Sequence, residues 1–345
     1  MENTQKKLFN PEGNDSLSER KIIKGDTTNL FNLNEVKYPW AKTLYRLMMS
    51  NFWIPEKIDL GDDKRQYLTL TEAEVKAYDG IISFLTFLDS IQTNNLPNIG
   101  DYITAPEVST LITIQGFQEA VHSQSYAYIL ESIIPKNKRN TVYELWRDDK
   151  KLLERNKYIA SIYQDFADDS NDHNLARVII ANYILEGLYF YNGFAFFYNL
   201  ASRNVMLGTA DEIRYINRDE LSHLTLFENI IKTINSEYPD FIQEKLVHEM
   251  FEEGVKQEID WTNHILGNNI LGISKNSTEQ YTKYLANKRI ETLGFKPLYE
   301  KIENPYEHLE RLSSKEGEDS VKSGFFEATV TSYSQSSVVS GFEDL

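Results

Sequence analysis

From residue 38 onward, apolar residues recur at spacings of three and four positions, which places them on one face of an α-helix. Strict alternation of apolar and polar residues, the pattern of a half-buried strand, is scarce, although ATVTSY at 328–333 has a β-prone composition. The pattern therefore predicts an all-α protein with unusually long helices. The predicted helices span residues 38–51, 71–95, 103–133, 140–167, 172–201, 209–235, 239–267 and 277–293.

The segment 172–201, DHNLARVIIANYILEGLYFYNGFAFFYNLA, is apolar over more than half of its helical circumference. A helix of this kind cannot lie at a surface, so we expect it near the centre of a helical bundle. The start of another long helix is also readable, because Thr71 and Glu74 have the spacing of a capping box.

The two ends of the chain differ from this body in composition. Residues 1–33 are polar, and we interpret them as an arm that either drapes over the domain or stays mobile. Residues 34–312 form the predicted helical domain. Residues 313–345 are rich in Ser, Gly and acids, with isolated aromatics. We expect them to form a flexible tail, which either docks into a partner's groove or is an unconstrained terminus.

Charge and motifs exclude several classes of protein. The 345 residues include 52 acids and 36 bases, and the net charge of −16 disfavours nucleic acid as a partner. No G-x-x-x-x-G-K or G-x-G-x-x-G motif is present to cradle phosphates. The composition, 41% hydrophobic and 12% aromatic, nevertheless provides for a large core.

Cysteine is absent from the chain. This absence excludes disulfides, thiolate metal sites and thiol nucleophiles, so any catalysis must use oxygen, nitrogen or a metal. The N-terminal residues contain no apolar signal region, and the chain contains no apolar run of about 18 residues without charge. We therefore expect a soluble cytoplasmic protein with no membrane partner.

The candidate chemistry lies in two E-x-x-H motifs, Glu119 with His122 and Glu220 with His223. An i, i+3 pair on a helix presents a carboxylate and an imidazole to the same point. One such pair is weak evidence, because surface residues often match it by chance. Each copy here is preceded by a lone acid in a strongly apolar helix, Asp89 lying 30 residues before Glu119 and Glu186 lying 34 before Glu220.

These spacings suit the run down one long helix and back up its antiparallel neighbour. Two such hairpins packed together would bring four acids and two imidazoles into the bundle core. Buried carboxylates are costly without cations, so the pattern predicts two metal ions, as in ferritin-like dimetal carboxylate proteins. Hard oxygens with imidazole suit iron or manganese. The competing interpretation, exposed or salt-bridged residues, is disfavoured by the apolar neighbours of Asp89 and Glu186.

Tyr126 follows His122 by one turn on the same helix face. We expect its phenol to lie close to the metal pair, in an apolar pocket walled by Phe190, Phe194 and Ile216. A phenol kept from water beside an oxidising metal centre could hold a long-lived radical. The alternative is an ordinary core tyrosine with a satisfied hydroxyl, since the chain has 21 tyrosines.

Five segments together resemble the small, radical-generating subunit of class I ribonucleotide reductases. The resemblance covers residues 36–295 and extends into the tail. The matching segments are LDSIQ at 88–92, EAVHSQSY at 119–126, LEGLYFYNGFAF at 185–196, RDELSHLT at 218–225 and YLANKRIETLGF at 284–295.

The resemblance implies a division of the ligands between two metals. Asp89, Glu119 and His122 would serve the metal nearer the tyrosine, with Glu119 bridging to the other metal. The remaining three, Glu186, Glu220 and His223, would serve the second metal. We expect two iron ions, because HLT after the last E-x-x-H resembles the diiron subclass. Two manganese ions are the alternative.

The resemblance also assigns residues outside the metal site. Tyr126 corresponds to the radical-bearing tyrosine, Trp53 to the tryptophan that passes electrons to the cofactor, and Asp219 to the acid that links Trp53 with His122. In the tail, VTSY resembles the segment that relays the radical between subunits, which makes Tyr333 the candidate relay residue.

The family implies that the substrate, a ribonucleoside diphosphate, and the reactive thiols belong to a large subunit, which agrees with a chain lacking cysteine. The implied partners are this large subunit, bound through the tail, a second copy of the chain, and a flavodoxin-like activator if the metal is manganese. The competing functional hypothesis is a ferritin-like iron-handling protein or other dimetal oxidase without radical transfer. A metal-free helical scaffold is the third.

Overall fold

The computed structural model describes residues 5–310, and within them every regular element is helical. This confirms the all-α prediction. The twelve α-helices of this part are α1 (Pro39–Ser50), α2 (Gly61–Tyr67), α3 (Glu72–Gly100), α4 (Pro106–Ile133), α5 (Arg139–Asp148), α6 (Lys150–Asp168), α7 (Asp172–Ile184), α8 (Tyr191–Ala201), α9 (Leu207–Glu237), α10 (Glu244–Ile265), α11 (Lys275–Thr292) and α12 (Glu307–Glu310).

Two long hairpins form the centre of the bundle. Helices α3 and α4 pack along each other, and α9 packs against α7 and α8. The hairpins meet where α4 contacts α9 and α3 contacts α7. Helix α8 is buried at all eleven positions, from Tyr191 to Ala201, which agrees with its continuous apolar sequence. Both hairpins therefore turn their inner faces toward one shared core.

The predicted helix 140–167 is wrong as a single element. Helix α5 ends at Asp148, and Asp149 begins α6 with its side chain accepting hydrogen bonds from the N–H groups of Lys151 and Leu152. An aspartate competes for backbone donors in this way and so favours a helix start over a helix interior. The short helix α2 was not predicted, whereas the capping box of Thr71 and Glu74 is confirmed.

The predicted helix 172–201 is interrupted by one π-helical turn, Leu185–Tyr189. Turns of this kind are rare and occur frequently at functional sites. Glu186 is the second residue of the turn. Periodicity alone cannot reveal the interruption, because helical apolar sequence continues on both sides of the turn.

Part of the N-terminal arm lies against the helices. Ile22 and Ile23 are fully buried. The Ile22 carbonyl accepts a hydrogen bond from the Thr104 N–H at 2.8 Å. The Ile22 N–H donates to the Glu237 carboxylate at 3.0 Å. These contacts favour an arm that drapes over the domain. Among residues 5–310, no helix combines the length and the apolar composition needed to span a bilayer.

Candidate metal centre

The two hairpins bring the six predicted ligands to one point in the core. Each of the six side chains is fully buried. They form two overlapping groups, and within each group one ligand atom per residue lies within 4.8 Å of the others. The first group is Asp89, Glu119, His122 and Glu220, and the second is Glu119, Glu186, Glu220 and His223.

His122 faces three carboxylates with Nδ1. The distances from this nitrogen are 3.3 Å to Glu119 Oε2, 3.3 Å to Glu220 Oε1 and 3.7 Å to Asp89 Oδ2. The carboxylates come from α3, α4 and α9, so no single hairpin can assemble this half of the centre.

His223 faces the other half of the centre in the same way. Its Nδ1 lies 2.8 Å from Glu220 Oε2, 3.2 Å from Glu119 Oε1 and 3.5 Å from Glu186 Oε2. Glu119 and Glu220 therefore each place one oxygen near each histidine. Glu119 is the residue expected to bridge the two metals, and Glu220 reaches both histidines in the same way.

The outer nitrogens of the two histidines are held by the opposite helix. His122 Nε2 lies 3.3 Å from Asp219 Oδ2, and His223 Nε2 lies 3.0 Å from Gln118 Oε1. Asp219 was expected from the resemblance, whereas Gln118 was missed. The sequence position of Gln118 could have indicated its role. Gln118 directly precedes Glu119, just as Asp219 directly precedes Glu220. Such outer contacts fix the tautomer and orientation of an imidazole.

Trp53 joins this arrangement through Asp219. Its indole N–H donates to Asp219 Oδ2 at 2.9 Å, and its ring stacks on Tyr215 with centroids 5.1 Å apart. The Trp53 ring centroid is 6.5 Å from that of His122. Two contacts through Asp219 thus connect the indole of Trp53, which is 8% exposed, with the fully buried imidazole of His122.

A group of buried amides surrounds Glu186. Its Oε1 accepts hydrogen bonds from Gln92 Nε2 at 2.5 Å and from Gln115 Nε2 at 2.8 Å. Tyr163 donates in turn to Gln92 Oε1 at 2.7 Å, which orients that amide. These three residues were not predicted as site residues. Together they hold one oxygen of Glu186 and direct the other toward His223.

The atoms that face the centre lack hydrogen-bond partners among the described residues. Buried polar atoms without partners are uncommon, because each costs about 1–3 kcal/mol. Their clustering here fits cations that would coordinate them, since these carboxylate and imidazole atoms are metal ligands. The unpartnered atoms are both oxygens of Asp89, Oε2 of Glu119, Nδ1 of His122, Oε2 of Glu186 and Oε1 of Glu220.

Electrostatics favour the same conclusion. Burial, followed by the charges of Glu119 and Glu220, raises the pKa of Asp89 well above its ordinary range. Burial and the same two charges also raise the pKa of Glu186. Burial alone would lower the pKa of His122, but the carboxylate of Asp219 at its Nε2, and those of Glu119 and Glu220 that face its Nδ1, raise it overall. Without metal the centre gathers protons, which divalent cations would displace on binding.

Tyr126 lies one turn beyond His122 on α4 and is fully buried. Its hydroxyl makes no hydrogen bond of normal geometry to any described residue, although it interacts with the carboxylate of Asp89. Burial, followed by the charges of Asp89 and Glu220, raises the pKa of this phenol well above its ordinary value. The three residues expected around it, Phe190, Phe194 and Ile216, are themselves buried.

Tyr333 and the β-prone ATVTSY segment lie outside the described residues. The predicted tail, residues 313–345, lies outside them as well. The assignments made for this region stay predictions.

Comparisons with known proteins agree with this geometry. The ribonucleoside-diphosphate reductase subunit beta of Treponema pallidum is 48% identical over 96% of this chain and 95% of its own length. The solved R2 subunit from Clostridium botulinum is 48% identical, with a TM-score of 0.87, and the match covers 90% of this chain and 99% of that one.

A solved putative class I ribonucleotide reductase from Bacillus halodurans is 39% identical, with a TM-score of 0.78, over 80% of this chain and all of that one. The family described as ribonucleotide reductase, small chain, matches residues 30–305. Six buried ligands on two long-helix hairpins, with near full-length similarity to these proteins, lead to one conclusion: the chain belongs to the ribonucleotide reductase small-chain family.

Proposed function

We propose that this chain is the small, radical-generating subunit of a class I ribonucleotide reductase, with the radical stored on Tyr126. The observation that carries the proposal is the burial of Tyr126 one turn from His122, beside six converging carboxylate and imidazole side chains. The phenol is fully buried and makes no hydrogen bond of normal geometry to a described residue, so we expect water to be excluded around it. Exclusion of water and reductants prolongs the life of an oxidised phenol.

Two iron ions are the metals that we assign to the centre, with two manganese ions as the alternative. Four carboxylates and two imidazoles suit either metal. Asp89, Glu119 and His122 would hold the ion nearer Tyr126, and the second ion would be held by Glu186, Glu220 and His223. When bound, the metal pair with dioxygen, or an oxidant made from it, supplies the one-electron oxidation of Tyr126.

The residues around Tyr126 would influence the phenol's proton and keep solvent away from it. On oxidation, the phenol loses one electron and the proton on its oxygen. The Asp89 carboxylate is the charge that acts most strongly on this phenol, and together with burial it raises the phenol's pKa and so favours retention of the proton until oxidation. Phe190, Phe194 and Ile216 would form the dry wall of the pocket, which their own burial supports.

Trp53, Asp219 and His122 would conduct the electron between the centre and a large subunit. The hydrogen bonds of 2.9 Å and 3.3 Å through Asp219 support this path, because they couple the indole and the imidazole directly. Tyr333 would continue the relay across the subunit boundary. Reduction of the ribonucleoside diphosphate would then take place on the large subunit.

The proposed partners follow from the family. The large subunit would bind residues 313–345, and the chain would pair with a second copy of itself. A flavodoxin-like activator would be required only if the metal is manganese. We expect neither nucleic acid nor membrane as a partner, and we assign the protein to the cytoplasm.

An iron-handling function without radical transfer is less favoured. It would use the same six ligands but gives no role to the hydrogen bond between Trp53 and Asp219. The family relatives with near full-length similarity are reductase subunits, which also disfavours it.

Electron paramagnetic resonance of metal-quantified, oxygen-activated protein tests the proposal. We expect an organic radical signal in the wild type, its loss in Tyr126→Phe, and equal metal content in both. Tyr189→Phe is the matched control, because Tyr189 is also fully buried with an unpartnered hydroxyl among the described residues. A wild type without the signal, or a Tyr126→Phe variant that keeps it unchanged, would refute the assignment.

A further inference from the structure

Two buried arginines contact the π-helical turn that carries Glu186. The Nε of Arg289, on α11, donates to the Gly187 carbonyl at 3.2 Å. The Nη2 of Arg155, on α6, donates to the Tyr189 carbonyl at 2.6 Å. The turn therefore has external hydrogen-bond donors on both sides of Leu188.

Both arginines are buried, and burial of a guanidinium group costs free energy. Burying a guanidinium is costly unless its charge is paired, and a hydrogen bond from a cation is stronger than one between neutral groups. Arg155 is fully buried and is paired with the Glu258 carboxylate at 2.7 Å. Its guanidinium carbon also lies 4.3 Å from the centroid of the Phe84 ring. Arg155 is thus held rigidly, with one donor directed at the turn.

Arg289 approaches the turn closely because residue 187 is glycine. A Cβ added to Gly187 would lie 3.0 Å from Arg289 Nε and 2.8 Å from Leu224 Cδ2. Arg289 is 6% exposed, and its guanidinium carbon lies 5.0 Å from the centroid of the Tyr191 ring. The pairing of a glycine in LEGLYFYNGFAF with an arginine in YLANKRIETLGF gives these two segments a common structural role.

The path of the turn sets the direction of Glu186. Glu186 Oε1 is held by Gln92 and Gln115, and Oε2 faces His223 Nδ1 at 3.5 Å. A π-helical turn pairs residues five apart and an α-helix pairs residues four apart, so a shift of this backbone toward a regular α-helix would change the direction in which Glu186 points. External hydrogen bonds to carbonyls on the turn oppose that shift.

We propose that Arg289 and Arg155 are positioning residues for the second metal ion, because they hold the π-helical turn in the path that directs Glu186 into the centre. The inference rests on the proposed dimetal function. The arginines themselves touch no ligand atom, so they act only through the backbone of residues 187 and 189.

The test compares Arg289→Met with Asn287→Ala in the full-length protein. Asn287 is a matched control, since it is also a buried polar residue of α11, but it bonds the backbone of Tyr299 at 3.0 Å instead of the turn. In metal-free protein, hydrogen exchange over residues 184–191 should be faster in Arg289→Met and unchanged in Asn287→Ala. In Mn²⁺ titrations, only Arg289→Met should bind the second ion more weakly, by about ten-fold or more.

Two further variants keep the test decisive if Arg289→Met does not fold. Gly187→Ala leaves both charges in place but displaces Arg289, and should show the same two effects. Arg289→Lys should restore part of the second-ion affinity by returning a cationic donor. Wild-type exchange in Arg289→Met or Gly187→Ala would overturn the proposal, as would faster exchange with unchanged affinity for both ions. A wild type that binds fewer than two ions would instead refute the dimetal function, and the exchange data would still decide whether Arg289 holds the turn.

Discussion

His223 Nε2 lies 3.0 Å from Oε1 of Gln118. Gln118 therefore supports His223 in the way that Asp219 supports His122. The Gln118 amide nitrogen donates to the Met48 carbonyl at 3.3 Å, which turns the amide oxygen toward His223. The two halves of the centre thus share one geometry but differ in charge, since a carboxylate supports His122 and a neutral amide supports His223. Only the carboxylate side continues to a tryptophan.

Gln118→Leu should weaken binding of the second metal ion by about 10–100-fold, because His223 loses the acceptor that fixes its tautomer. Titration of metal-free protein with Mn²⁺ or Fe²⁺ measures the change. Gln124→Leu, at an exposed position of the same helix, should bind both ions like the wild type. Equal affinities in all three proteins would show that the contact between Gln118 and His223 has no role in metal binding.

Trp53→Phe should reduce reductase activity with a matched large subunit by about 10–100-fold while the metal content stays constant, because it removes the hydrogen bond to Asp219. Activity assays beside metal analysis provide the measurement. Trp146→Phe is the control, since this tryptophan stacks on Phe87 and has no contact with Asp219. Full activity in Trp53→Phe would contradict the proposed electron path.

Glu212 gives a prediction for pH. It is fully buried, Ser125 donates to its Oε2 at 2.6 Å, and burial raises its pKa from 4.5 to about 8. Because the folded-state pKa is the higher one, the folded protein binds more protons between these values, and stability falls as the pH rises through this window. At pH 9 the ionised carboxylate destabilises the folded state fully.

Glu212→Gln should therefore be more stable than the wild type at pH 9, by about 1–3 kcal/mol, and the difference should disappear near pH 4.5. Urea unfolding of chelator-treated protein at both pH values measures it. Glu300→Gln is the exposed control, because Glu300 is not among the groups that shift the pKa of Glu212, and it should track the wild type. A stability difference that is the same at both pH values would contradict an ionisation effect.

The tail can be tested with two changes that separate docking from relay. Deletion of residues 326–345 should abolish both binding of the large subunit and reductase activity, and leave the metal content and the organic radical intact. Tyr333→Phe should keep the binding and lose the activity. Sedimentation with the large subunit and activity assays distinguish these outcomes, and activity that survives the deletion would eliminate the proposed role of the tail.

Local pattern was sufficient for most of the fold. Apolar residues at helical spacing predicted the long helices, and the capping box placed the start of α3 correctly. The errors have local physical causes that periodicity does not encode. Asp149 starts a new helix by accepting backbone hydrogen bonds. The π-helical turn at 185–189 lies between two apolar helical segments, so the apolar pattern does not mark it.

The sequence by itself determined the six candidate ligands, since two lone acids and two E-x-x-H pairs recur at the spacing of helix hairpins. This pattern is visible in sequence because the ligands of one metal pair must lie on helix faces that point to the same place. Only the tertiary structure decided which side chains support them. Gln118 and Arg155 lie outside the five matching segments, and no local pattern gave a role to Gln92 or Arg289 within theirs. The contacts of these four residues cross 34 to 105 residues of chain. Amides and guanidinium groups find partners by proximity in the packed core, and that proximity is set by how the helices pack and not by spacing along any one of them.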